Sequence, residues 1–256
     1  NIQLFHMQDD PITILKKMNK FQPEVIGGYP SMLKTLAIYK NRGLGKNINP
    51  ILTATSGELL DQHSRHLIET AFEAPLFDVY GATECDPIAF QCKNGNYHVQ
   101  SDFVHLELES TSQSSDLYKP IITRLFGDGT PIIRYQGISD IIIPSNRSCS
   151  CGMNTPLIER IEGRQADCIL LPDKTIIPPL TITGIPYKIM NKYKSNSIHQ
   201  FQIIQQSPSH IDILIVLKKQ EKEPEKISHV LNALKQEYQK RLGKNMRVQL
   251  QIVDKI

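Results

Sequence analysis

The sequence has no run of about eighteen apolar residues, so no segment is expected to cross a membrane as a helix. It has no marked excess of either charge: 29 basic against 26 acidic residues leave a formal net charge of +3. Charge alone therefore gives no argument for an anionic membrane surface, and no nucleic-acid partner is expected. Internal repeats, low-complexity stretches and heptads are absent, which excludes solenoids and coiled coils. No histidine has a serine–acid context suited to a triad. The opening, Asn1-Ile2-Gln3-Leu4-Phe5, lacks the layout of an export signal, and five cysteines cannot all pair within one chain. A reducing, cytoplasmic compartment is the expectation, and there clustered cysteines point to metal or chemistry before disulfides.

What is present is a globular composition. Hydrophobic residues make up 40% and charged residues 21% of 256 residues, enough for one large domain or two modest ones. Asp10-Pro11 reads as an N-cap and first helical residue, with Ile12, Leu15 and Met18 spaced for one buried face. A strand around Val25-Ile26 precedes a helix opened by Pro30-Ser31, carrying Leu33, Leu36 and Ala37 and stopped at Gly43. A strand at 51–54, a helix at 60–72 and a strand at 76–80 continue the alternation. Short links between them predict βαβ units and a parallel sheet to about residue 96. From residue 97 the pattern becomes consecutive short strands at 105–109, 121–125 and 131–135, the last two joined by the turn Phe126-Gly127-Asp128-Gly129-Thr130. The expected fold is α/β: a parallel βαβ sheet with an attached antiparallel region, together forming a large domain over 1–162. A small α+β domain is expected over 163–256. It holds a long helix opened by Pro224, with Ile227, Val230, Leu231, Leu234 and Tyr238 on one face, and a last strand alternating Met246, Val248, Leu250 and Ile252.

Four polar clusters fall at strand ends, where open parallel sheets bind ligands. They are Ser56-Gly57-Glu58, Tyr80-Gly81-Ala82-Thr83-Glu84, Arg134-Tyr135 with Asp140, and Gly163-Arg164. Glycines permit close backbone approach, Thr83 offers a hydroxyl, and Glu84 offers a carboxylate for a divalent cation. Asp140 can accept from both hydroxyls of a ribose, and an arginine suits phosphate oxygens. Taken singly, each cluster also reads as an ordinary turn or a surface ion pair.

In this order the clusters resemble the motifs of adenylate-forming, AMP-dependent ligases. Within them the resemblance is to phenylacetate–coenzyme A ligases and the capsular polysaccharide biosynthesis (CapK-type) proteins. Gly28-Tyr29-Pro30-Ser31 and Cys149-Ser150-Cys151-Gly152, followed by Pro156-Leu157-Ile158, look like the same branch, and the likeness runs from Pro23 to Asp254. It implies that a small-molecule carboxylate attacks ATP to give an acyl-adenylate, which coenzyme A then converts to a thioester. Ser56, Gly57 and Glu58 would border the adenine, with Tyr80, Gly81 and Ala82 beside it. Thr83 would contact the α-phosphate, Glu84 would hold Mg²⁺, and Asp140 with Arg164 would hold the ribose. The family's Ser/Thr/Gly-rich phosphate loop and its C-terminal catalytic lysine do not appear in the sequence, and no Gly-x-x-x-x-Gly-Lys occurs. The chain is therefore expected to be the C-terminal part of a longer enzyme, inactive alone, with a hinge near Gly163 to Asp167. A non-catalytic homologue that binds a nucleotide or a partner is the alternative.

Cys92, His98, Cys149 and Cys151 form a Cys-x₅-His and a Cys-x-Cys, a set zinc accepts if the two halves converge. Free buried thiols beside a surface histidine remain the other reading of the spacing. Some members of the resembled branch carry zinc with this pattern, which implies a structural site. Four protein ligands would leave no open position for catalysis, and Cys85 and Cys168 are expected to be packed.

Overall fold

Asp10 accepts the Thr13 N–H at 3.0 Å and the Thr13 hydroxyl at 2.8 Å, closing the start of α1 (Pro11–Phe21). The computed structural model describes residues 1–111, 116–127, 129–218 and 224–256, so Asp128 of the expected turn lies outside the described residues. The buried face of α1 is Ile14, Leu15 and Met18; Ile12, at the first turn, is only half-buried. The chain then alternates through β1 (Val25–Gly28), α2 (Pro30–Asn41), β2 (Leu52–Ser56), α3 (Gln62–Phe72) and β3 (Leu76–Ala82). β1, β2 and β3 pair in parallel, and Leu15, Leu33, Ile48, Ile68 and Phe72 share one core with Ile26 and Leu76 from the sheet.

Antiparallel pairing begins earlier than expected. β4 (Asp86–Gln91) reverses directly off β3 and is followed by β5 (Tyr97–Val99), β6 (Val104–Ser110), β7 (Tyr118–Arg124), β8 (Asp140–Ser145) and β9 (Leu157–Arg164). Nine strands form one mixed sheet in the order β1-β2-β3-β4-β5-β9-β8-β7-β6. The strand expected at 131–135 does not form: Tyr135 makes a single bridge to Ile122. Arg134 sits at φ 47, a left-handed conformation that breaks a ladder. Asp140 therefore opens a strand rather than following one.

Contacts divide the chain into two units, 1–161 and 162–256, with β9 carrying the chain across the division. The second unit starts with a 3₁₀ turn (Gln165–Asp167) and the short antiparallel pair β10 (Ile169–Leu170) and β11 (Ile176–Ile177). Helices α4 (Pro179–Thr183) and α5 (Ile185–Lys192) follow, then β12 (Ile198–Ser207), β13 (His210–Leu217), α6 (Pro224–Leu242) and β14 (Arg247–Ile252). β13 is central, antiparallel to β12 and parallel to β14. Its Ile211, Ile213 and Ile215 are buried in one core with Val230, Leu234 and Tyr238 of α6. The Tyr238 hydroxyl is satisfied by the Ile182 carbonyl at 3.1 Å, as a fully buried phenol requires. Among the described residues no helix is long and apolar enough to cross a membrane.

Candidate functional site

The first unit brings two of the four polar clusters together. β3 carries a register shift between Tyr80 and Gly81, stays paired to β4 through Ala82, and passes the exposed Thr83 into the turn before β4. The Tyr80 ring is 6% exposed and packs in the core; its hydroxyl donates to Asp140 Oδ2 at 3.0 Å. Burial, and then the Asp140 charge, hold the Tyr80 phenol well above its ordinary range, so it stays a donor. In the opposite sense, the Tyr135 hydroxyl donates to Glu84 Oε1 at 2.9 Å. Two tyrosine–carboxylate bonds thus cross between the segments 80–84 and 135–140. Among the described residues, the second oxygen of each carboxylate has no hydrogen-bond partner and is open to a ligand or cation.

Gly137 is what lets Tyr135 lie in this position. A Cβ there would stand 2.1 Å from the Tyr135 hydroxyl oxygen. Arg134 braces the same segment, with its Nε within 3.2 Å of both Glu107 oxygens and its backbone N–H on the Thr123 hydroxyl at 3.0 Å.

Ser56 is half-buried at the end of β2, and Gly57 and Glu58 are exposed. Gly57 has φ +81, and a Cβ there would meet the Tyr29 ring at 2.7 Å, so both backbone and space favour glycine. Glu58 accepts from the Ser31 N–H at 2.9 Å and the Ser31 hydroxyl at 2.8 Å. A carboxylate there satisfies a free N–H in the first turn of α2 and complements the helix dipole. Glu58 thereby ties this cluster to the Tyr29–Ser31 segment. Arg164 ends β9, exposed, in the second unit.

The cysteines converge. The donor atoms of Cys92, His98, Cys149 and Cys151 all lie within 4.8 Å of one another. Cys92 follows β4, His98 lies on β5, and the other two sit in the loop between β8 and β9. The Sγ atoms of Cys92 and Cys149 are 3.6 Å apart, and Cys151 Sγ is 3.2 Å from His98 Nε2. Two thiolates at about 2.3 Å from one tetrahedral zinc would be roughly 3.8 Å apart, so the set fits. His98 is fully buried, and its Nδ1 pairs with Thr155 Oγ1 at 3.1 Å, which turns Nε2 toward the sulfurs. The Cys151 backbone N–H, followed by His98 and Asn96, holds the Cys149 thiol down at about 5. Burial instead pushes Cys85 and Cys168 up to about 11, which leaves both as unreactive thiols.

Sequence reasoning quoted Tyr135 and Ser31 within motifs without giving either a role, and passed over Gly137, Asn94 and Asn96 as functional candidates. Their adjacency to motif residues was the available signal.

Residues 173–256 match the family model of the CapK C-terminal domain. The chain is 24% identical to Protein CapK of Staphylococcus aureus over 243 residues, 94% of this chain and 52% of that protein. In fold it is similar to 2-hydroxyisobutyryl-CoA ligase in the postadenylation state in complex with R3-HIB-AMP. The TM-score is 0.79 at 17% identity, covering 97% of this chain and 55% of the other. It is also similar to the anthranilate CoA ligase AuaEII in complex with anthranoyl-AMP, with a TM-score of 0.65 at 11% identity over 96% and 49% of the two chains. The fold is that of the adenylate-forming ligases, and the chain spans about half the length of the relatives it matches.

Proposed function

We propose that this chain is part of an ATP-dependent carboxylate ligase that forms an acyl-adenylate and then an acyl–coenzyme A thioester, serving capsular polysaccharide biosynthesis. The observation that carries the reading is the pair of crossed bonds, Tyr80 to Asp140 and Tyr135 to Glu84, which joins two motifs of an adenylate-forming fold at one place. In this reading Asp140 takes the ribose hydroxyls with Oδ1 while Tyr80 steadies Oδ2, so Tyr80 serves more through its hydroxyl than through its ring. Thr83, exposed at the turn, donates to the α-phosphate, and Ser56, Gly57 and Glu58 border the base. Arg164 assists at the ribose, and the segment Gly163 to Asp167 serves as the hinge. Glu84 holds Mg²⁺, and such a cation supplies positive charge to the phosphate oxygens. Cys92, His98, Cys149 and Cys151 hold a structural zinc with no open position.

The test has two arms. Calorimetry of AMP with this chain should show binding that Asp140→Asn weakens by about 10-fold or more, the value of a hydrogen bond to a charged group. Pyrophosphate release with ATP, Mg²⁺ and a carboxylate panel should be measured on the complete protein. Equal AMP affinity in Asp140→Asn would remove the nucleotide site from this cleft. AMP binding with no pyrophosphate across the panel would favour the non-catalytic homologue.

A further inference from the structure

The two ligands of the β4–β5 hairpin each follow a residue that faces the other way along its strand. Gln91 precedes Cys92, Tyr97 precedes His98, and Gln91 and Tyr97 are register partners. Both reach β3 at Asp78, which is 4% exposed yet carries a carboxylate. Tyr97 donates its hydroxyl to Asp78 Oδ2 at 2.6 Å, and Thr55 of β2 donates to Oδ1 at 2.5 Å. The Asp78 N–H donates to Gln91 Oε1 at 3.2 Å, an oxygen that also accepts from the Arg65 guanidinium of α3. Gln91 then turns its amide N–H toward the hairpin turn and donates to the Gly95 carbonyl at 3.0 Å. The turn fixed in this way presents Asn94 and Asn96, whose amides lie 3.6 and 3.3 Å from Cys149 Sγ. A polar path thus runs from a buried carboxylate on β3 to a ligand sulfur. A network that only stitched the sheet would have no need to reach the turn.

We infer that Asp78 and Gln91 are positioning residues for the metal centre, holding the β4–β5 hairpin so that Cys92, His98 and the asparagines meet the 149–151 loop in ligating geometry. This rests on the zinc reading above. Partners behind the ligands typically change metal affinity by about 10–100-fold.

The test uses Gln91→Glu, which keeps the oxygen that accepts from Asp78 and Arg65 but loses the N–H to Gly95, and Tyr97→Phe, which keeps the ring and loses only the hydroxyl. Zinc affinity is read by competition with a chromophoric chelator, and geometry by the visible bands of the cobalt-loaded protein. Gln91→Glu should bind zinc roughly 10-fold more weakly with shifted cobalt bands, and Tyr97→Phe should move both in the same direction. Ile14→Val, a core change remote from the hairpin, should lower stability and leave both readouts alone. Wild-type zinc affinity and cobalt bands in both variants would overturn the positioning role while leaving the metal reading intact. Absence of stoichiometric zinc in the wild type would overturn both. If Gln91→Glu fails to fold, Tyr97→Phe alone decides.

Discussion

Removing zinc should loosen the first unit by an amount the geometry bounds. The ion would tie the polar loop between β8 and β9, which carries Cys149 and Cys151, to the β4–β5 hairpin, whose own strands are already paired. In that loop Arg147 and Ser148 are exposed and the ligands are half-buried, so little apolar surface fixes it. At free zinc about 100-fold above the dissociation constant, linkage adds about 2.7 kcal/mol to the folded state. For a unit of this size each kcal/mol moves the melting temperature by about 2–4 °C. Stripping the metal should therefore lower the midpoint by about 5–11 °C, recovered on adding one equivalent of zinc. Acid should act in the same direction, because ligands must lose their protons to bind. The assay is a thermal melt with and without chelator, paired with elemental analysis of protein purified without added metal. A chelator-insensitive melt from a metal-free, well-folded preparation would refute the reasoning, since no ligated loop would then exist.

Two further outcomes follow from the cleft and the sheet. Gly137→Ala should drive Tyr135 off Glu84, because its Cβ would occupy the hydroxyl's place; the phenol, raised by its bond to Glu84, should then titrate lower. Ultraviolet titration against Tyr135→Phe isolates that phenol, and an unmoved midpoint would show that the tie to Glu84 survives. Asp78 should give the reverse of the usual carboxylate behaviour. Burial raises its folded pKa above 3.8, so the native state keeps a proton that the unfolded chain has lost. Its contribution to stability falls as pH rises through that window, whereas Asp61, lowered by its bonds to Ser64, loses its contribution as pH falls. Denaturant melts in chelator at neutral pH and near 4.5 should show wild type gaining on Asp78→Asn in acid, and a pH-independent difference would contradict this.

The parts of the fold legible in the sequence were those with local causes. The cap at Asp10, the stop at Gly243 and the strand–helix alternation through β3 each depend on neighbours a few residues away. β4 was hidden because it begins at Asp86, in a left-handed conformation, and Pro87, which together read as a turn. β9 was hidden because Leu-Ile-Glu-Arg-Ile-Glu-Gly-Arg lacks strict alternation, and its two faces are buried unevenly. In the candidate site the chemical types were visible and the partnerships were not. The cysteine–histidine set stood out by type and spacing, but free thiols remained the other reading of it, and the resemblance to a zinc-bearing branch is what favoured convergence. Nothing local says that a tyrosine will find an aspartate sixty residues away.

That difference explains why the motif residues are better understood in pairs than singly. Glu58 and Glu84 are each a carboxylate that sequence assigns directly to a ligand, yet each first satisfies a donor of its own chain: Ser31 for one, the Tyr135 hydroxyl for the other. A carboxylate held in this way is oriented before any ligand arrives, which lowers the ordering cost of binding. It also becomes sensitive to residues that touch no ligand. Gly57 gives room to the Tyr29 ring beside Ser31, and Gly137 gives room to Tyr135 beside Glu84. The two glycines therefore have a common physical role, which is to let an aromatic residue approach the backbone closely enough for a neighbouring donor to meet a motif acid. Replacing either one should disturb its motif acid through the aromatic residue that the glycine makes room for.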